Sequence, residues 1–167
     1  FRKSALPRFA WFDRFEVLGT QNGAFSRLRA KEFEPRKALI LNQRPGVFTK
    51  RDMSSKPGLV ETAKVTFKNF THIDIPVNFR FPRVLLFNDM YSPHWKARLN
   101  GKPLSVIKGN GVFMAIPVPA TKGTLSLTFE PTQFLYMMWM AYSVLLVLMI
   151  ILITGLAHKL RQSLSRR

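Results

Sequence analysis

From Phe134 to Ala157 the sequence reads FLYMMWMAYSVLLVLMIILITGLA, 24 residues without a charge. At about 1.5 Å of rise per residue, a helix of this length covers about 36 Å. That is enough to cross a hydrocarbon layer of about 30 Å with some tilt. Phe134, Tyr136, Trp139 and Tyr142 crowd its first half, as an aromatic belt at a water–lipid boundary does, and Lys159 and Arg161 follow its other end. These six residues are the expected membrane anchors. The run is too long and too unevenly flanked for the core helix of a globular domain. Its C-terminal position excludes a cleaved signal peptide.

The span divides the chain into an outer domain, residues 1–131, a transmembrane helix, 132–157, and a basic tail, 158–167. Four of the 26 Lys and Arg lie in the tail, and all nine acidic residues precede the span, so the portion before it carries net +13 of the total +17. In the 15–20 residues before the span the only basic residue is Lys122, opposed by Glu130. The positive-inside rule therefore places the tail in the cytoplasm and the domain outside, because long domains translocate largely regardless of charge. A bacterial inner membrane with a periplasmic domain is the expected location. A basic domain tethered there faces anionic head groups or an acidic protein surface rather than nucleic acid. The absence of cysteine excludes disulfides and thiolate chemistry. Because the first residue is Phe1 and not Met, a processed or partial product is expected.

The outer domain reads as strands and turns. ALPRFAWFDRFEVL, Ala5–Leu18, is aromatic and β-prone; TQNG comes next as a turn signal, and AFSRLRAKEF reads as a short helix ended by Pro35. KALIL, Lys37–Leu41, is a buried strand, and Asn42–Gly58 reads as a long exposed loop. Beyond it the period becomes two, with Ala63, Val65 and Phe67 alternating with Lys64, Thr66 and Lys68, and Ile73–Phe81 repeating the pattern. Pro76 within that second run favours an edge or a bulge. RVLLFND is more continuously apolar. WKARL, LSVIK, VFMAIPV and TLSLTFE complete the set, separated by NGKP, GNG and ATKG. Short strands punctuated every eight to twelve residues predict a mainly β fold, an antiparallel β-sandwich with one short helix.

Asn100-Gly101 is the strongest turn signal, since a type I′ turn requires positive φ at both central residues. It predicts that WKARL and LSVIK pair as a hairpin, with Trp95, Ala97 and Leu99 inward and Lys96 and Arg98 outward. Trp95, Asn100 and Gly101 thus have structural roles. The stretch LLFNDMYSPHWKARLNGKPLSVIKGNGVFMAIPVPATKGTLSLTFEP, leading straight into the span, resembles the end of the YfhO-like bacterial membrane proteins. Its Tyr-x-Pro-x-Trp-x-Ala, Asn-Gly turn, small-residue turn and Val-Pro-Ala carry the resemblance, which extends over about Ala5 to Leu156. That family is similar to multi-pass glycosyltransferases that use lipid-linked sugars. The resemblance implies that their catalytic carboxylate sits in an early outer loop among N-terminal helices that this sequence does not contain. What it implies here is the non-catalytic end.

Several residues offer chemistry in principle. His72-x-Asp74, two apart on one strand face, with His94, would suit a metal; Asp89 and Glu130 would suit glycoside chemistry; Tyr91 and Trp95 would stack on a sugar ring. His158 would ligate a pigment or haem, and Met137, Met138, Met140 and Met149 would pack on neighbouring helices. Each has a plainer structural reading, and neither catalytic residue, cofactor nor metal is expected. Lys50, Arg51 and Lys56, crowded in the exposed loop, are the expected contacts to partner or lipid. The function anticipated is that of a non-catalytic accessory subunit in a larger membrane complex, of respiratory or photosynthetic type. The alternative is the non-catalytic portion of a multi-pass glycosyltransferase. Expected partners are membrane lipid and other integral subunits, without nucleic acid.

Because the span's insertion is hydrophobic and not electrostatic, the chain should stay in the membrane through high-salt and alkaline carbonate washes. Release by salt alone, read by immunoblot of the supernatant, contradicts the span.

Overall fold

The computed structural model describes residues 6–48 and 60–164. The chain divides into two compact units, with the division between Glu130 and Pro131. The first holds twelve strands in chain order: β1 (Phe9–Phe12), β2 (Phe15–Val17), β3 (Leu39–Leu41), β4 (Val60–Thr62), β5 (Thr66–Asn69), β6 (His72–Asn78), β7 (Arg83–Met90), β8 (Trp95–Leu99), β9 (Lys102–Leu104), β10 (Ile107–Gly109), β11 (Phe113–Val118) and β12 (Lys122–Phe129). Helix α1 (Gln21–Arg29) lies between β2 and β3, and α2 (Thr132–Leu164) is the second unit.

The strands form a β-sandwich of a seven-stranded sheet, β2-β3-β10-β11-β7-β1-β4, and a five-stranded one, β5-β6-β12-β8-β9. All their pairings are antiparallel except β2 with β3. The period-two pattern turns Ile73, Ile75, Leu125 and Leu127 of the smaller sheet toward Trp11, Leu85, Phe87, Met114 and Ile116 of the larger. The larger sheet is also covered on its other face, where Phe12, Phe15, Leu39, Leu41, Phe48, Val84 and Leu86 pack together. This double burial explains the unbroken apolar run Val84–Phe87, since a central strand has no wet side to signal.

The larger sheet is tied at one corner by Arg83, which donates to both oxygens of Asp13 (2.6 and 3.3 Å) and to Glu61 Oε2 (2.7 Å). Asp13 sits where the expected single strand Ala5–Leu18 breaks in two. β1 runs between β7 and the edge strand β4, whereas β2 joins β3 at the opposite edge. TQNG is a helix start rather than a turn: Thr20 Oγ1 accepts from Gly23 N–H (3.1 Å) as an N-cap, and α1 ends at Arg29, capped by Ala30, before Pro35.

Two further expected strands hold only in part, each because the chain changes sheets within an apparently regular pattern. Ala63–Lys68 starts in the link that leaves β4 of the larger sheet and becomes strand only at Thr66, in β5 of the smaller. In Leu104–Lys108, Leu104 ends β9 in the smaller sheet and Ile107 begins β10 in the larger. Pro76 lies in β6 opposite Thr124 of β12, beyond the point where β5 begins, so its missing N–H interrupts no β5 pairing.

Asn110, in the Gly-Asn-Gly turn between β10 and β11, is a buried polar residue with φ +47°. Its N–H donates to Ile40 O (2.7 Å) and its Oδ1 accepts from Ile40 N–H (3.0 Å), fastening the turn to β3. Asn110→Ala should therefore lower stability by about 3 kcal/mol, from an unsatisfied buried N–H together with left-handed backbone strain. Asn110→Gly removes the strain and should cost about half as much. Denaturant unfolding of the two variants checks the ordering.

Candidate functional site

The Asn100–Gly101 turn adopts the expected positive φ values, +49° and +82°. Asn100 does more than turn the chain. Its Oδ1 accepts from Thr124 N–H (2.9 Å) and its Nδ2 donates to Lys122 O (3.3 Å), so the β8–β9 hairpin is clipped to the start of β12. Gly123 lies under that amide, and a Cβ there would collide with it. Nothing in the sequence spacing announced this second use of Asn100, or the reason for Gly123.

The hairpin has the expected facing, with Ala97 and Leu99 buried and Lys96 and Arg98 exposed. It is shorter than expected. β9 pairs only with Ala97–Leu99 before the chain leaves for the other sheet, so among the described residues Trp95 and Lys96 have no strand partner on that edge. A groove of about 370 Å³ opens there, lined by Tyr91, Ser92, Pro93, Trp95, Lys96, Arg98, Pro103, Leu104, Val106 and Glu130. A second depression of about 340 Å³ adjoins it through Pro103 and Leu104.

Trp95 is half-buried, edge-on to Phe87 (5.1 Å between ring centres) and tilted against Phe129 (5.4 Å). It is both a core residue and a wall of the groove. Tyr91 carries the Lys108 ammonium 5.5 Å from its ring centre. Lys96 donates to Pro93 O (3.1 Å), and Arg98 stands 3.9 Å from Glu130. Aromatic walls beside cations and a carboxylate suit a hydroxyl-rich ligand that offers apolar ring faces and polar edges.

The other candidates are distributed differently. Asp74 is held by Lys68 (2.6 Å), Ser126 (2.7 Å) and His72 (3.1 Å), while His94 packs its ring against Phe129. Among the described residues no group of three or more His, Cys, Asp and Glu is placed to hold a metal. Asp89 pairs with Arg8 (2.6 Å) on β7, whereas Glu130 comes directly after β12 in the other sheet.

Within α2, Phe134–His158 is long and apolar enough to cross a membrane, and none of its side chains is buried. Phe134, Tyr136, Trp139 and Tyr142 are exposed on it, as are Met137, Met140 and Met149, with His158 at its end. The helix runs on through the start of the basic tail, where Arg161 is exposed. The Ser and Thr hydroxyls of the span are satisfied internally: Ser143 donates to Met140 O (2.7 Å) and Thr154 to Ile150 O (2.9 Å). The chain is thus a membrane protein with a β-sandwich domain and, among the described residues, one spanning helix. Lys50, Arg51, Lys56 and the Lys159 side chain lie outside the described residues.

No protein-family profile matches the chain, and no curated protein does. Solved structures of the arabinofuranosyltransferase AftD from Mycobacteria, unmutated and as a single-residue mutant in two classes, align at 23% identity with a TM-score of 0.40. The alignment covers 46% of this chain and 6% of theirs. A likeness of that degree carries neither fold nor function across.

Lys68, then Ser126, hold the Asp74 carboxyl down, from near 3.8 to about 2. A depressed carboxyl stabilises the fold above its unfolded pKa and loses that contribution as pH falls through the folded one. Part of the domain's stability should therefore disappear between about pH 4 and about pH 2. Asp74→Asn should flatten this part of the acid limb. Denaturation midpoints measured across the window for both proteins check it; parallel curves exclude Asp74 as the cause.

Proposed function

We propose that this chain is the non-catalytic outer end of a larger membrane glycosyltransferase that uses lipid-linked sugars, and that its groove helps to shape the acceptor site. The groove at Trp95 carries the proposal. It lies within Leu85–Pro131, the stretch that resembles the YfhO-like proteins, and joins two aromatic side chains to Lys96, Arg98 and Glu130. The strands and turns implied by that resemblance coincide with β7 to β12, with the span directly after them. This supports a piece of such an enzyme over a free-standing accessory subunit of a respiratory or photosynthetic complex, for which no residue speaks. On this reading the domain lies outside a bacterial inner membrane with the tail in the cytoplasm, as the charges flanking the span favour. The carboxylate that performs the transfer belongs to another part of the enzyme.

Two measurements test the proposal. An antibody to the outer domain, used on native membranes, should reveal a polypeptide several times heavier than the 19.2 kDa of this chain. In that polypeptide Lys96→Ala with Arg98→Ala should raise KM for the acceptor about tenfold, or about 1.4 kcal/mol, with kcat unchanged. These residues are exposed, so the fold survives their removal, whereas Trp95→Ala would confound binding with packing. A band at the mass of this chain alone, or transfer kinetics indifferent to both substitutions, rejects the proposal.

A further inference from the structure

The end of the sandwich from which the chain departs can be identified without reference to α2. Phe129 N–H donates to Thr71 O (2.9 Å), and Glu130 N–H donates to His94 O (2.8 Å). The β5–β6 turn and the Tyr91–His94 loop therefore flank the last strand residues, two positions before the helix begins at Thr132. The other end carries the Asn100–Gly101 turn and the loop between β6 and β7, beside Lys122 at the start of β12.

Phe70 sits on the β5–β6 turn with 101% exposure and no packing partner among the described residues. The turn that presents it is braced, since Asn69 Oδ1 accepts from both Thr71 N–H (2.9 Å) and Thr71 Oγ1 (3.0 Å). Met90, at the close of β7 on the same end, is 77% exposed. Two ion pairs lie in the strands that lead to this end, Lys68 on Asp74 and Arg8 on Asp89. Full exposure leaves the whole apolar area of the Phe70 ring to be gained by any contact that removes it from water. A strand bonded on both sides up to Glu130, with a membrane span so soon after it, keeps this end within a few residues' reach of the lipid surface.

We infer that Phe70, supported by Met90, inserts into the head-group region of the bilayer, so that the sandwich has a second, non-covalent attachment to the membrane beside its chain connection. The occupant is lipid, and the contact is apolar. It depends on neither anionic lipid nor low salt, and it is independent of any glycosyltransferase role.

Because the chain has no cysteine, single-cysteine labels read this directly. The full chain carrying Phe70→Cys or Phe81→Cys is labelled with an environment-sensitive fluorophore and reconstituted in phosphatidylcholine vesicles, with and without phosphatidylglycerol. Phe81, 54% exposed at the other end, controls for the dye's own affinity for lipid. At position 70 emission should shift to the blue and be quenched several-fold more by head-group nitroxide lipids than at 81, in both lipid mixtures and at high salt. Equal, water-like emission at the two positions overturns the inference, as does shielding confined to phosphatidylglycerol vesicles and abolished by salt. In detergent, Phe70→Ser should melt at the unsubstituted temperature. A large fall there means that Phe70 packs on protein, and also overturns it.

Discussion

The bonds from Phe129 to Thr71 and from Glu130 to His94 set the terms for the whole molecule. β12 is paired on both sides, by β6 and β8, almost to the residue at which the backbone must become helical. A bilayer admits a lone segment only as a helix with its backbone bonds closed internally, whereas the sandwich closes its bonds between strands. The chain passes from one regime to the other in about two residues, with Pro131 at the step. Pro131 suits it, having no N–H to leave unsatisfied and a fixed φ compatible with the first helical turn.

Much of this architecture was legible in the sequence, because period, turn chemistry and apolar length are local signals. The uncharged Phe134–Ala157 run, the alternation through β6, β8 and β12 and the Asn-Gly turn each depend on neighbours close in sequence. The departures arise where the signal is not local. A chain that crosses between sheets at Ala63–Val65, or between Leu104 and Ile107, keeps its period of two while changing partners, so the crossing is read as continuous strand. TQNG has the composition of a turn, and Thr20 becomes a cap only because Gln21–Arg29 coils into a helix behind it.

The groove was legible in its parts and not as a site. The outward facing of Lys96 and Arg98 comes from alternation, but the bare edge beside Trp95 depends on how soon β9 ends. Trp95 itself cannot be assigned to core or surface from the sequence, because it serves both, with Phe87 and Phe129 against its ring and the remainder lining the groove. Phe70 was invisible for another reason: next to two alternating runs it reads as one more apolar strand residue. Lys50, Arg51 and Lys56, expected as contacts, fall outside the described residues, so the basic loop contributes nothing to the site described.

The position of β12 has a further consequence for biogenesis. It occupies the middle of the five-stranded sheet, between the β5–β6 hairpin and the β8–β9 hairpin. During synthesis from the N-terminus those two hairpins exist before the strand that unites them, and each leaves an apolar face and an edge that waits for β12. Such edges invite mispairing while they wait. The span comes immediately after the uniting strand, so closure of the sheet and capture of the helix by the insertion machinery occupy nearly the same moment. A delay in releasing the helix sideways into lipid thus prolongs the interval in which half-built sheets are vulnerable, and links the yield of folded domain to the speed of membrane integration.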